Sequence, residues 1–465
     1  MSTSSLQLLD QILSEVGEIP ALDAVSFTGS DPVLRTPFRI GEAAAAAIGA
    51  SALQATRLLE LRGGPEQTVE VDVGAAALSM QSSRHVETVP PLGHAGAGRG
   101  RAGFFQTRTG RWFFYRGVFR HHFAKQLEVL DCEGEVESIR DATATWDPWE
   151  LEEAMAANGA IGGAVRSHAE WEEHPQARAV DHLPLIEVVK IGDSPAERLP
   201  RSTRPLAGLR VLDVTRVLAG PTCGRTLAEH GAEVLRIGTD NPPDDDIFIA
   251  DTGHGKRHAR LDLKDPSGGE ALRRLAASAD VFAQGYRPGA MESLGFSPEA
   301  LAELRPGIVY VTESAFGHVG PWRERRGFDS LVEAVSGAAL ELADPESGLP
   351  RLPPCTPLDY ITGYLAAFGV MVAIARRAQF GGSYLVRLSL ARTEKWLNGL
   401  PRVDPSQVDQ VPAEVDKALV ERLSLTTESP FGRMRHFAPI AKLSVTPGFW
   451  ALPAAPIGHD PPKWT

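Results

Sequence analysis

The residues of this chain best suited to chemistry are few and differ in kind. Asp359 follows Thr356-Pro357 at the predicted start of a long apolar helix. A carboxylate there meets the free N–H groups and the positive dipole end of the helix. Taken alone, it reads as a helix cap, the commoner role, or as a carboxylate held ready for nucleophilic attack. Lys256, Arg257, Arg287 and Arg326 are cations of the kind that bind phosphate or carboxylate, although any one of them is more often a solvated surface charge. Glycines at 93, 96, 98, 100 and 103, interrupted by Arg99 and Arg101, form a loop that covers a site or simply turns. Cys132, Cys223 and Cys355 are far apart and odd in number, which reads as reduced thiols in the cytoplasm. No two of them have zinc-ligand spacing, so no metal is expected.

Composition narrows the classes. The chain has 465 residues, 43% hydrophobic and 23% charged, enough for two or three domains with sizeable cores. A formal net charge of -12 without a long basic run argues against a nucleic-acid partner. The first twenty residues carry acids and lack a basic start followed by a long apolar run, so no signal peptide is expected. The most apolar runs, 43–55 and 364–375, read as too short or too interrupted to span a bilayer.

Elements that position these residues follow from periodicity. From 206 onward, apolar strands expected at 209–215, 233–237, 280–286 and 308–312 alternate with helices at 222–230, 265–277 and 297–304. That alternation means a parallel sheet with right-handed crossovers, Rossmann-like but without a G-x-G-x-x-G fingerprint. The part before 200 reads differently, with an Ala-rich helix at 41–61, strands at 68–73 and 111–116, and helices at 149–157 and 169–174. The Pro-rich stretch 199–208 marks the linker. An internal repeat is also visible. Thr36-Pro37-Phe38-Arg39 opens a helix that ends before Gly63-Gly64 and the strand TVEVDV, and Thr356-Pro357-Leu358-Asp359 opens one that ends before Gly381-Gly382 and LVRLSL. Arg39 stands in the first copy where Asp359 stands in the second.

Five segments in order carry a family resemblance: PLAGLRVLDVTRVLAGPTCGRTLAEHGAEVLRI (205–237), GKRHARLDLKDPSG (255–268), ADVFAQGYRPGAMESLGF (279–296), ESAFGHVGPWRERRGFDSLVEAVSG (313–337) and PLDYITGYLAAFGVMVAIARR (357–377). They resemble the class III CoA-transferases, a family that includes formyl-CoA and carnitine CoA-transferases and the α-methylacyl-CoA racemases. EQTVEVDVGAAAL, GHAGAGRGRAGFF, GRWFFYRGVFRHH and NGAIGGAVRSHAEWEEHPQARA resemble the later part of the same family. The halves therefore come in swapped order. The resemblance implies an α/β fold with a Rossmann-like open parallel sheet domain and a smaller α+β domain, built from two partial copies. Residues 1–204 would be one partial copy, 205–400 the CoA-binding catalytic part, and 401–465 a segment returning to the large domain.

The resemblance also implies roles. Asp359 matches the family's nucleophile, which takes CoA from an acyl-CoA thioester through an anhydride and an aspartyl-CoA thioester and passes it to a carboxylic acid. Val217, Leu218 and Ala219 lie where the family meets CoA near its thiol, and Leu218 replaces the glutamine of the formyl-CoA branch. Lys256, Arg257, Gln284, Tyr286, Arg287 and Arg326 are implied CoA contacts, the cations for phosphates and Tyr286 for the adenine. Gly96, Gly98 and Gly100 are implied to cover the aspartate. Gly327-Phe328-Asp329 stands where the racemase branch has Gly-His-Asp. Phenylalanine moves no proton, which favours transferase over racemase. A non-catalytic CoA-binding protein is the third reading, since the first copy has lost its acid. CoA thioester is expected as substrate, with no resident cofactor, no membrane contact and a cytoplasmic location. A homodimer is expected, and whether it interlocks as in the family stays open.

Overall fold

The computed structural model describes residues 4–18, 22–92, 103–117, 119–241 and 244–465. Its largest sheet has seven strands: β1 (Glu187–Gly192), β2 (Arg210–Asp213), β3 (Glu233–Gly238), β4 (Lys256–Arg260), β5 (Val281–Gln284), β6 (Val309–Ser314) and β7 (Ser383–Ser389). Their order is β4-β3-β2-β5-β6-β7-β1. All neighbours pair parallel except β1, which joins β7 antiparallel at the edge. The central strands are continuous apolar runs, such as Val309-Tyr310-Val311, buried on both faces as a covered parallel sheet requires. Strand order reverses between β2 and β5. The loops leaving their carboxyl ends diverge there, and an open α/β sheet leaves its ligand crevice at that point.

The expected strands and helices are present, with their ends moved by a few residues. Three boundaries differ more. β1 precedes the 199–208 linker, so the main sheet takes its seventh strand from the first part of the chain. Strands of the C-terminal segment pair with first-part strands: Gly432–Phe437 with Glu87–Val89, and Lys442–Leu443 with Val69–Asp72. The last residues do run along the main sheet, where Asp460 accepts from the His258 amide and Thr465 bonds Glu233. The apolar run expected at 364–375 belongs to a helix of 24 residues, Pro357–Phe380, long and apolar enough by composition to cross a membrane. Its apolar window is wholly buried within the protein.

The repeat seen in sequence has a structural counterpart. Four helices frame the site: α1 (Ile40–Leu61), α2 (Ala219–Glu229), α3 (Asp329–Ser336) and α4 (Pro357–Phe380). α1 and α4 pack on each other. Each leads into a strand, Val69–Asp72 or β7, that has one parallel and one antiparallel neighbour. Each strand runs directly into a short helix, Val73–Ser79 or Leu390–Asn398. α4 also packs against α2, and Gly363 permits the approach: a Cβ there would lie 2.4 Å from the Ala219 carbonyl oxygen. A smaller antiparallel sheet, Gly103–Gln106, Trp112–Tyr115 and Gly162–Ala164, has its own core around Phe113, Tyr115, Leu151 and Met155. The three cysteines are free thiols.

The linker is anchored rather than loose. Buried Arg62, just past α1, donates to the carbonyls of Pro200 (2.9 Å), Pro205 (2.7 Å) and Ala207 (2.7 Å). Removing the donor leaves carbonyls unpaired in a low-dielectric site. Arg62→Met is expected to cost about 3 kcal/mol, the sum of a few charge-assisted bonds. The check is the urea midpoint, which should fall while far-ultraviolet dichroism of the native state is unchanged.

Candidate active site

Asp359 is the third residue of α4, behind Pro357 at the first position. The helix end is capped by another acid. Asp329, first residue of α3, accepts at Oδ2 from the backbone N–H groups of Leu358 (2.8 Å) and Asp359 (3.1 Å). Thr356 makes no side-chain cap bond. Among the described residues, the Asp359 carboxylate has no hydrogen-bond partner. The cap reading of Asp359 therefore fails, because Asp329 does that work and leaves the Asp359 carboxylate unengaged.

Two cavities meet at Asp359. The first, about 430 Å³, opens at the switch point of the sheet. Its walls come from the loop after β2 (Arg216, Val217), the loop after β5 (Tyr286, Arg287), the end of β6 (Glu313) and Arg326. The second, about 530 Å³, lies between α3, the segment Leu352–Thr356 and the residues Ile247 and Phe248. Phe119, Val217, Phe328 and Asp359 belong to both. The Phe119 and Phe328 rings lie 5.6 Å apart and partition the space. Val217 has φ +68°, a left-handed backbone that β-branched residues rarely adopt and that costs about 1–3 kcal/mol. That strain sits where the turn from β2 into α2 reaches the partition.

The electrostatics are those of a buried acidic cluster facing a basic mouth. Burial pushes the Asp359 carboxyl well above its usual range, the Asp329 charge adds to this, and Arg116 opposes both. Burial also raises Asp329, against its two backbone hydrogen bonds. Glu333, further along α3, is raised well above the usual range by burial and then by Asp329. Burial, then the charges of Asp359 and Asp213, pushes Glu313 up to about 8. On the mouth side, Arg325 pairs with Glu153 and Arg326 donates to the Gly159 carbonyl, 2.7 Å away. Neither Arg287 nor Arg326 has a carboxylate partner among the described residues.

The sequence-expected residues divide into three groups. Asp359, Val217, Ala219, Tyr286, Arg287 and Arg326 come together around the first cavity, and Leu218 lines the second. Lys256, Arg257 and Gln284 line neither. Lys256 is wholly buried, with Nζ 2.8 Å from Asp213 and 2.7 Å from the Pro221 carbonyl, so its charge is spent inside the fold. Arg257, on the outer edge strand β4, bonds the Lys463 carbonyl at 2.8 Å and approaches Asp460 and Glu233. Gln284 ties β5 to β6 through Thr312 (2.7 Å) and accepts from the Tyr286 amide (2.7 Å). Gly96, Gly98 and Gly100 lie outside the described residues. Sequence reasoning missed Glu313, Arg116 and the pair His121 and His122, whose rings sit beside Phe119 and Phe328. The only signal for Arg116, His121 and His122 was the density of charge and aromatics in RWFFYRGVFRHH, and Glu313 had none.

Known proteins share much of this chain's sequence. The profile of CoA-transferase family III matches residues 206–421. An acyl-CoA transferase of Gibberella moniliformis is 30% identical over 420 residues, 79% of this chain and 72% of that protein. The acetyl-coenzyme A transferase nodX of Hypoxylon pulicicidum is 32% identical over 319 residues, 63% of this chain and 53% of that protein. The succinyl-CoA–L-malate CoA-transferase beta subunit of Chloroflexus aurantiacus is 34% identical over 198 residues, 40% of this chain and 49% of that protein. The matched part thus spans about half the length of the last two relatives. A solved structure of a hypothetical protein from Mycobacterium tuberculosis is 31% identical over 42% of this chain and 56% of its own, with a TM-score of 0.40. The chain belongs to CoA-transferase family III.

The charges lead to two expected outcomes. Asp329→Asn removes the negative charge that raises Asp359, so the acid limb of the pH–rate profile should move to lower pH. A profile that keeps its position would show that Asp329 acts only as a cap. Stability should also depend on pH. Glu313 is raised to about 8, and Glu229 and Glu394 to about 7, each chiefly by burial. Above their unfolded values the native state binds more protons than the unfolded one, so stability falls as pH rises. Buried His230 and His258, held near 3, act the opposite way only below about 6.5, where the unfolded imidazoles still titrate. Lys256, lowered to about 8, adds its opposite contribution only near and above that value. Between about pH 6.5 and 7.5 the urea midpoint should fall, and Glu229→Gln should flatten the fall by up to about 1.4 kcal/mol per pH unit.

Proposed function

We propose that this protein moves coenzyme A from an acyl-CoA thioester to a carboxylic acid, with Asp359 as the covalent carboxylate. The observation that carries this reading is the Asp359 carboxylate itself. It is buried, freed from capping by Asp329, and sits where a basic cavity and a second cavity meet. An Asp359 oxygen attacks the thioester carbonyl carbon, the C–S bond breaks, and CoA leaves as thiolate. The mixed anhydride so formed is attacked by the thiolate at the Asp359 acyl carbon, releasing the donor acid as carboxylate. The acceptor carboxylate attacks the resulting aspartyl-CoA thioester, and the thiolate then takes the acceptor's acyl carbon and frees Asp359. Each step exchanges one acyl bond for another, and the route replaces one hard exchange by easier ones. A carboxyl raised by burial is a stronger nucleophile once ionised, and a dry site protects the anhydrides from water.

Arg287 and Arg326, with Arg216 and Arg323 beside them, suit the CoA phosphates, and Tyr286 suits the adenine. The loop of Gly96, Gly98 and Gly100 is proposed to shelter the intermediates. Relatives named as acyl-CoA and acetyl-coenzyme A transferases support the reaction class. A homodimer in the cytoplasm belongs to the same proposal. Phe119, His121 and His122 line the first cavity together with the loops after β2 and β5.

One observation favours a second reading. His122 packs its ring against Phe328 at 5.8 Å and lines the first cavity, so an imidazole stands in space near the position where sequence shows none. An acyl-CoA racemase or isomerase would use it as a base.

Asp359→Ala is expected to lower CoA transfer by about 10⁴-fold, as loss of a covalent nucleophile does, while CoA affinity stays near wild type. Retained transfer would remove the proposal. Solvent deuterium entering the α-carbon of an acyl-CoA without any acceptor acid would favour the racemase reading instead.

A further inference from the structure

The first cavity holds a carboxyl group that the proposed exchange does not use. Glu313 is the fifth of the six residues of β6, at the carboxyl end of the strand, where the crevice opens. Among the described residues lining that cavity, Glu313 and Asp359 are the only two with a carboxyl side chain. The same walls carry Arg216, Arg287, Arg323, Arg325 and Arg326, yet Glu313 is bonded to none of them. Arg216 is held by Asp244 and Arg325 by Glu153 instead. Glu313 is only 5% exposed. Its Oε1 is enclosed by protein without a hydrogen-bond partner, so the carboxyl reaches the cavity through Oε2.

The surroundings decide the protonation state. Burial, then the negative charges of Asp359 on α4 and Asp213 on β2, favour the neutral acid. Lys256 on β4 opposes them, but its ammonium is bonded to Asp213 at 2.8 Å. Cys223 on α2 feels the Glu313 charge and is itself kept a thiol, first by burial. His121 and His122, which line the cavity from the small domain, are kept neutral chiefly by burial. An ionised Glu313 would leave charge on an enclosed Oε1 that no donor meets. The proton therefore sits on Oε2, and the oxygen that faces the cavity is a hydrogen-bond donor. Attack on a thioester needs such a donor. As the Asp359 oxygen adds to the carbonyl carbon, the π electron pair moves onto the carbonyl oxygen. A carboxylic acid kept neutral by its site can donate to that oxyanion, and it adds no charge beside the attacking carboxylate.

We infer that Glu313 is a second catalytic residue, a neutral acid whose Oε2–H donates to the oxyanion formed when Asp359 attacks the acyl-CoA thioester. This rests on the proposed transferase reading and adds a group to the same site. The proton stays on Glu313 throughout. Its hydrogen bond strengthens as the oxyanion forms and weakens as the electron pair returns to the carbonyl, the C–S bond breaks and CoA leaves as thiolate. Loss of that proton in alkali removes the donor and puts a second negative charge beside Asp359.

The test follows formation of the Asp359 adduct in a single turnover, by acid quench and mass analysis. The donor is whichever of acetyl-, butyryl- and succinyl-CoA labels wild-type Asp359 fastest. Glu313→Met, close in size and apolar, should slow adduct formation about 10²-fold, the effect of losing one oxyanion donor, with CoA affinity near wild type. Glu313→Gln, which keeps an N–H donor, should retain most of the rate at neutral pH. The pH dependence separates a donor from a residue that only packs. The wild-type rate should fall above about pH 8, and Glu313→Gln, which has no proton to lose there, should abolish that fall. Lys256 is also lowered to about 8, but a fall that belongs to it would persist in Glu313→Gln. A Glu313→Met rate within about threefold of wild type, or an alkaline fall that Glu313→Gln keeps, overturns this inference and leaves the transferase reading standing. Should Glu313→Met not fold, the Glu313→Gln profile decides by itself. Absence of an adduct on wild-type Asp359 with all three donors overturns the transferase reading, and this inference with it.

Discussion

Everything at the site depends on two hydrogen bonds that Asp329 accepts from the first turn of α4. Helix N-termini expose N–H groups that must be paired. In most helices the residue at the end pairs its own first turn. Here the pairing acid comes from α3, and the acid inside the first turn is relieved of that task. Asp359 is then buried, beside a like charge and, among the described residues, unbonded. Such a carboxylate is costly to keep, and strained or unsatisfied groups of that kind gather where a protein does chemistry. The degenerate copy shows the contrast. Arg39 precedes α1, and its guanidinium is taken up by Glu42 at 2.8 Å and by the Pro401 carbonyl at 2.9 Å.

The scaffold explains why that carboxylate meets a ligand crevice. Strand order reverses between β2 and β5, and the turn after β2 carries the strained Val217 into the partition of the two cavities. α2 starts there and can lie against α4 only because Gly363, one turn beyond Asp359, has no side chain. The basic residues stand on the loops at the sheet's carboxyl ends, on one side of Asp359, and the second cavity lies on the other.

Much of this was legible in the residues. The β-branched runs gave the parallel strands to within a few positions, and Thr-Pro before an apolar stretch gave the start of α4. The matching Thr-Pro openings gave the repeat, which appears as two packed helices each feeding a three-strand arrangement. What sequence could not show was set by distant contacts. Lys256 sits in a segment like a CoA-binding one, yet its side chain alternates inward to Asp213, 43 positions earlier in sequence. Asp359 looked like a cap because its relief comes from a residue 30 positions away. β1 joined the main sheet from across the linker because edge pairing is decided by the fold, not by the order of the chain.

The central claim is that the freed Asp359 carboxylate becomes covalently bonded to CoA. Incubation with an acyl-CoA, acid quench and mass analysis of peptides tests it directly. Covalent catalysis at Asp359 predicts a peptide containing that residue heavier by CoA less one water, formed at the rate of turnover and lost on adding an acceptor acid. Turnover with no adduct on that peptide, or an adduct on another residue, would contradict it.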